Sequence, residues 1–169
     1  MSPTTIRVLG VDPRSRGLGY AVVEWPFNLV DWGVKSVRTK KKRRTLAMIT
    51  GLIRRYKPYV IVLENCDGDG SHRCSRIEKL IGAICREAVK DNVAVRVFSR
   101  TEIKEVFGAF GAATKYEIAH AIARQLPELT PHLPRYRKAW MSEDYRMAFF
   151  NATSLALTYI YTRQIRAKK

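Results

Sequence analysis

Two apolar runs in this chain each end in an acidic residue. Residues 8–12 read VLGVD and residues 59–64 read YVIVLE. Aspartate is unfavourable within strands, and an ionised carboxylate is costly to bury unless it is paired or binds a metal ion. We therefore predict that Asp12 and Glu64 lie where two buried strands end, and that a paired charge or a metal ion accounts for the acid at each end.

The rest of the apolar pattern predicts an α/β fold. The turn at 13–17 and the apolar runs at 18–23 and 29–37 predict an antiparallel meander that continues from the first strand. The runs at 59–65 and 93–99 are separated by a helical stretch, which is typical of parallel strands. Predicted helices occupy residues 45–56 and 76–90, two segments between 100 and 126, and residues 142–163. This order predicts a mixed five-stranded sheet flanked by helices, in one domain over residues 1–169.

The charge of the chain indicates the class of its partner. It has 31 Lys and Arg against 15 Asp and Glu, a formal net charge of +16. A field of this sign attracts polyanions, and its spread along the chain favours nucleic acid over a membrane surface. No apolar segment has the length of a membrane span, and MSPTTIRVLG lacks the apolar stretch of a signal peptide. Because Cys66, Cys74 and Cys85 have no disulfide-framework spacing, we expect a reducing, cytoplasmic location, at the nucleoid if the source is bacterial.

The acidic residues suggest a metal site. If the first and fourth strands are neighbours, the carboxylates of Asp12 and Glu64 meet, and they then need a shared proton or a cation. Oxygen ligands of this kind suit Mg²⁺ or Mn²⁺. Glu143 and Asp144 open the predicted last helix, in which Asp144 and Asn151 share a face, so a third acid there would complete a site for two ions. The alternative is that these two acids only complement the helix dipole.

Four segments together resemble the RuvC-type Holliday junction resolvases of the RNase H-like (retroviral integrase) superfamily. Residues 8–24, VLGVDPRSRGLGYAVVE, resemble the first motif of the family, and residues 59–65, YVIVLEN, resemble its strand that ends in Glu. Residues 97–129 resemble its segment with two lysines around a glycine turn, and residues 151–160, NATSLALTYI, resemble its final helix. The matches occur in order over nearly the whole chain.

The resemblance implies an RNase H-like fold and a metal-dependent endonuclease that acts as a homodimer and cuts DNA at four-way junctions in recombination and repair. It implies two Mg²⁺ or Mn²⁺ ions per active site and basic residues near the scissile phosphate. The expected catalytic residues are Asp12, Glu64, Lys115 and Asp144, and the expected metal ligands are Asp12, Glu64, Glu143, Asp144 and Asn151. The expected DNA contacts are Arg14, Arg16, Lys40, Lys41, Lys42, Arg43, Lys104 and Lys115.

The chain departs from the family pattern at several positions. Arg14 stands where the family has a glycine, and Ala148 and Asn151 stand where its final helix has two acids. Asp67 stands where family members can place an aromatic residue that enters the junction. We therefore predict that Asp144, rather than Asn151, supplies the essential carboxylate of the last helix.

Other functions fit parts of the pattern. A YqgF-type RNase H-fold nuclease acting on ribosomal RNA would share the strand motifs, and a catalytically inactive nucleic-acid-binding relative would tolerate the altered last helix. Cys66, His72 and Cys74 are close in sequence, but their spacing fits no common zinc site. The helix at 76–90 carries an apolar stripe that fits either a two-fold dimer contact or packing on its own sheet.

Overall fold

The computed structural model describes residues 5–66 and 72–168, so that Asp67 and the side chain of His72 lie outside the described residues. The strands are β1 (Arg7–Arg14), β2 (Gly17–Glu24), β3 (Asn28–Ser36), β4 (Val60–Glu64) and β5 (Ala94–Phe98). The helices are α1 (Lys41–Tyr56), α2 (His72–Lys90), α3 (Arg100–Gly108), α4 (Lys115–Gln125) and α5 (Met147–Ala167), and a 3₁₀ segment spans Pro127–His132. Within this described part, none of the helices is long and apolar enough to cross a membrane.

The sheet has the strand order β3-β2-β1-β4-β5, which confirms the predicted mixed five-stranded sheet. β1, β2 and β3 pair antiparallel, whereas β4 is parallel to β1 and β5 is parallel to β4. α1 and α2 pack on one face of the sheet, and α3, α4 and α5 pack on the other. β1 and β4 read as continuous apolar runs because both of their faces are covered, and Val8, Leu9, Val60 and Ile61 are fully buried.

α5 lies directly against β1 and β2 because both strands present a glycine to it. A Cβ atom at Gly10 would lie 1.9 Å from the carbonyl oxygen of Ala152, and one at Gly19 would lie 2.2 Å from that of Ala148. No side chain fits between the helix and the strands at these points. The close approach therefore sets the position of the first turns of α5 relative to Asp12, on β1.

The start of the last helix differs from the prediction. α5 begins at Met147, so residues 142–146, predicted as its first turns, lie outside the helix. The Asp144 carboxylate accepts a hydrogen bond from the backbone N–H of Arg146 at 2.9 Å. A short polar side chain that bonds the backbone two residues further on competes with helix formation, which delays the helix to Met147. The prediction that Asp144 shares a helix face with Asn151 is therefore wrong.

Two of the three cysteines are paired. Cys66 and Cys74 form a disulfide with their Cα atoms 5.5 Å apart, and Cys85 is free. The cysteine spacing did not predict this pairing. Because the two sulfur atoms bond each other, they are not thiolate ligands, and the zinc alternative loses two of its three residues.

Candidate active site

Asp12 and Glu64 lie at the same end of the sheet. β1 and β4 are parallel neighbours with Gly10 opposite Val62, and each acid comes two residues after that pair. Because the strands run in the same direction, their carboxyl ends bring both acids to one edge. The prediction that the two acids lie on neighbouring central strands is confirmed. The prediction that each acid ends its strand holds for Glu64 and is wrong for Asp12, because β1 continues through Asp12 to Arg14 in its pairing with β2. The side chains of Asp12 and Glu64 are 16% and 26% exposed, so each is partly withdrawn from water and still open to a substrate.

Arg14 links Asp12 to the segment in front of α5. Its Nε atom donates to Asp12 Oδ2 at 2.9 Å, and its NH1 atom donates to Glu143 Oε2 at 2.7 Å. Asn151, on α5, donates from Nδ2 to the same Asp12 oxygen at 3.3 Å. Burial alone would lower the pKa of Arg14, but the charges of Asp12 and Glu143 raise it above its ordinary value. Arg14 is therefore a permanently charged link between the two acids.

Lys115 is a second cation on Glu143, with its Nζ atom 3.1 Å from Glu143 Oε1. α4 begins at this lysine because Thr114 and Glu117 form a capping box, each side chain accepting from the backbone N–H of the other. Burial alone would raise the pKa of Glu143, but Lys115 and Arg14 lower it below its ordinary value. Glu143 is therefore ionised at neutral pH, and each of its oxygens accepts from a cation.

Arg146 holds the carboxylate of Asp144. Its guanidinium donates to both Asp144 oxygens, at 3.0 Å from Nε to Oδ1 and 2.6 Å from NH2 to Oδ2. These hydrogen bonds outweigh burial and lower the pKa of Asp144. Of the two acids in front of α5, the structure joins Glu143 to Asp12, through Arg14. The essential role of Asp144 stays a prediction.

Arg100, which the sequence pattern did not single out, faces Glu64. Its NH1 atom lies 3.7 Å from Glu64 Oε2, and NH1 and NH2 are buried without a hydrogen-bond partner among the described residues. Ser99 follows β5 and caps α3, so Arg100 begins a helix at the carboxyl end of the strand beside β4. A basic residue directly after the parallel neighbour of β4 was the signal that could have found it.

The other expected DNA contacts lie at or near this end of the sheet. Arg16 is exposed in the turn between β1 and β2, and its carbonyl accepts from the N–H of Val37 at 2.8 Å, which places the end of β3 beside this turn. α1 begins earlier than predicted, at Lys41, so its basic first turn lies close by. The exposed basic residues there are Lys40, Lys41, Lys42 and Arg43. Lys104 is exposed on α3 and is not part of the hydrogen-bonded cluster around Asp12.

The donors at this end suit a divalent ion in their chemistry. Asp12, Glu64 and Glu143 have carboxylate oxygens and Asn151 has an amide oxygen, the donor types that Mg²⁺ and Mn²⁺ take. Across residues 5–66 and 72–168, no three or more His, Cys, Asp or Glu side chains are grouped so that they could hold a metal ion. The oxygen donors therefore fit an ion by their chemistry but are not gathered around one point, and Arg14 is already bound to two of the carboxylates.

Comparisons with known proteins show the family and the fold to which this chain is similar. The family model described as crossover junction endodeoxyribonuclease RuvC matches residues 8–134. A protein of that name from a Shewanella species is 28% identical over 165 residues, covering 93% of this chain and 88% of that one. The structure of T. thermophilus RuvC in complex with Holliday junction substrate has a TM-score of 0.71 at 19% identity and covers 94% of this chain and 96% of that chain. The Fowlpox virus resolvase in complex with substrate Holliday junction DNA has a TM-score of 0.56 at 19% identity, and the match covers 94% of this chain and 99% of that chain.

The matched region holds most of the residues described above. It includes β1 with Asp12, β4 with Glu64, and the helices that carry Lys104 and Lys115. The two solved structures share the fold over nearly the whole of each chain. The chain therefore belongs to the RuvC family of crossover junction endodeoxyribonucleases.

Proposed function

We propose that this chain is a structure-specific endonuclease that hydrolyses DNA phosphodiester bonds at four-way junctions in recombination and repair. The observation that carries the proposal is that Asp12 and Glu64 lie near the carboxyl ends of two parallel neighbouring strands, beside basic side chains. The matching family is one of crossover junction endodeoxyribonucleases, which supports this substrate. An acidic centre within a basic surface suits a polyanion that is held firmly and cut at one phosphate.

The RuvC family is metal-dependent. We assign Asp12 and Glu64 to a Mg²⁺ or Mn²⁺ ion, because carboxylate oxygens suit these ions. When bound, the ion supplies positive charge to the phosphate and lowers the pKa of a water molecule. Two ions per active site, as the resemblance implies, would need a further ligand from Glu143, Asp144 or Asn151.

The side chains of the protein orient and neutralise the phosphate. In hydrolysis, a water oxygen bonds to phosphorus and the bond from phosphorus to the leaving sugar oxygen breaks, while the water loses a proton and the leaving oxygen gains one. Lys115 lies beside the Arg14–Glu143 pair, so its ammonium group is placed to neutralise charge that develops on the phosphate. We assign Lys104, exposed on α3, to a neighbouring phosphate.

The first turn of α1 supports a phosphate-binding role. Four successive basic residues open this helix and its first turn has no acid. Cations are unfavourable at a helix N-terminus because the helix dipole is positive there. A DNA phosphate against this turn would offset that cost. At this end of the sheet, the residues that we assign to the DNA backbone are Arg14, Arg16, Lys40, Lys41, Lys42 and Arg43.

We place the protein where its DNA is, in the cytoplasm and at the nucleoid in a bacterium.

We also propose a homodimer, because a two-fold dimer presents two equivalent sites to the paired strands of a four-way junction. α2 buries Ile84 and Ala88 against the sheet but leaves Leu80 and Ile81 partly covered and Val89 73% exposed. This partly covered apolar strip suits a second copy of α2. Light scattering at micromolar concentration should give the mass of two chains, and the mass of one chain, with and without DNA, would contradict the dimer.

A nicking assay tests the function. With Mg²⁺, the protein should cut a synthetic four-way junction and leave a linear duplex and a structured RNA intact. Asp12→Asn and Glu64→Gln should abolish cleavage and keep junction affinity equal or higher, because each removes a negative charge while the basic surface remains. The control Asp91→Asn alters an exposed acid just before β5, at the opposite end of the sheet, and should retain both properties.

Each other outcome of that assay has a distinct meaning. Preferential cleavage of RNA would indicate the ribosomal-RNA function, and junction binding without cleavage by the unaltered protein would indicate an inactive relative. Loss of binding together with cleavage in Asp12→Asn and Glu64→Gln would show that these acids are structural.

A further inference from the structure

Cations of the chain itself already engage two carboxylates of the active site. Asp12 Oδ2 lies 2.9 Å from both Nε and NH2 of Arg14, and it also accepts from Asn151 Nδ2 at 3.3 Å. Glu143 accepts from Arg14 at Oε2 and from Lys115 at Oε1, at 2.7 Å and 3.1 Å. A guanidinium therefore lies between the carboxylates of Asp12 and Glu143 and bonds both of them.

Among the side chains that the structure describes, the carboxylates of this site are matched by an equal number of cations of the chain. Each of its three carboxylates faces a cation of the chain, in the pairs Asp12–Arg14, Glu143–Lys115 and Glu64–Arg100. Most of these side chains are no more than 26% exposed, so solvent screens them only in part. Two divalent ions would add four positive charges to a balanced cluster, whereas one ion adds two.

The turn between β1 and β2 allows a side chain at position 14. Gly17 is the residue of this turn with positive φ, at 136°, and a Cβ atom there would lie 1.9 Å from the carbonyl oxygen of Lys35. Arg14 pairs with Gly17 as the last residue of β1. Since Gly17 meets the conformational demand of the turn, position 14 needs no glycine and can direct a guanidinium at Asp12.

We infer that the Arg14 guanidinium takes the place of one divalent ion, so that the active site binds a single metal ion, assigned to Asp12 and Glu64. Glu143 is then a positioning residue that holds Arg14 and Lys115, and is not a metal ligand. A guanidinium carries a permanent charge and paired N–H donors that match two oxygens of a phosphate. The single ion supplies what the guanidinium lacks, a lowered pKa of water. The inference rests on the proposed nuclease function for the location of the metal.

Titration of the protein with Mn²⁺ in the absence of DNA, followed by the EPR signal of the free ion, tests this inference. The unaltered protein should bind one Mn²⁺ per chain, and both Arg14→Gln and Arg14→Gly should bind two. The matched control Arg16→Gln removes an exposed cation from the same turn and should bind one. Circular dichroism shows whether each variant keeps its fold. Two different substitutions are made at Arg14 so that one variant remains for the test if the other does not fold.

Two ions or no ion in the unaltered protein would overturn the inference, as would a single ion in a folded Arg14 variant. The stoichiometry does not depend on the substrate. One bound ion in a protein that cuts no junction would reject the proposed function and support this inference. Two bound ions in a protein that cuts the junction would support the proposed function and reject this inference.

Discussion

Arg14 NH1 donates to Glu143 Oε2 at 2.7 Å, across 129 positions of the chain. The same guanidinium donates to Asp12, so one side chain joins the end of β1 to the segment in front of α5. This segment is not helical, and the bonds of Glu143 to Arg14 and Lys115, rather than helical phase, join it to the active site.

Substitution of each acid in front of α5 distinguishes the two candidates. The sequence pattern favours Asp144, and the hydrogen bonds favour Glu143. We expect Glu143→Gln to lower the single-turnover cleavage rate by about 10–100-fold, the usual effect of losing a group that orients an active-site residue. Asp144→Asn should change the rate little, because that carboxylate bonds Arg146. Abolished cleavage in Asp144→Asn with nearly normal cleavage in Glu143→Gln would instead assign the essential carboxylate to Asp144.

The lowered pKa of Glu143 predicts an acid-sensitive part of stability. Burial opposes the shift, but Lys115 and Arg14 bring the pKa below its ordinary value of 4.5. Such a carboxyl stabilises the fold above its unfolded pKa, and this contribution is lost as the pH falls through the folded value. The free energy of unfolding in urea should therefore differ between the unaltered protein and Glu143→Gln at neutral pH. The difference should shrink below 4.5. An equal difference in the free energy of unfolding at every pH would contradict a stabilising effect of these ion pairs.

Gly19→Ala should destabilise the protein by about 1–3 kcal/mol, as overpacking of a filled interior does. The new Cβ atom would lie 2.2 Å from the backbone of Ala148, so α5 must move away from β2 and carry Asn151 with it. Gly51→Ala is the matched control, because nothing lies within 4 Å of a Cβ atom there. Because Gly51 lies within α1, Gly51→Ala should raise the free energy of unfolding by about 1 kcal/mol. Equal thermal midpoints for the two variants would contradict the close approach of α5.

Lys42→Ala should weaken junction binding and lower the slope of log K against log salt by about one, the share of one phosphate contact. Lys42 lies in the exposed first turn of α1. Lys168→Ala removes another exposed lysine, which follows the last turn of α5, whereas the first turns of this helix lie at the active-site end. Its slope should match that of the unaltered protein. Identical slopes for both variants would remove the first turn of α1 from the DNA surface.

The amino-acid sequence by itself determined the order and type of the strands and α-helices, and it placed two acids near the carboxyl ends of β1 and β4. These features depend on local properties: the length and period of each apolar run, the glycine and proline turns, and an acid that ends an apolar run. The order of the strands in the sheet was also predictable, because a short turn joins antiparallel neighbours and a helical crossover joins parallel strands. The +16 charge likewise indicated a polyanionic partner without any knowledge of the fold.

Only the tertiary structure decided which charged side chains meet. The bonds from Arg14 to Glu143 and from Asn151 to Asp12 join residues 129 and 139 positions apart, and no local pattern specifies such pairs. The start of α5 was missed because a side-chain bond of Asp144 outweighed helical periodicity. Arg100 was missed because its partner lies on the neighbouring strand. Such contacts depend on packing of whole elements to within a few ångströms, as where Gly10 and Gly19 admit α5.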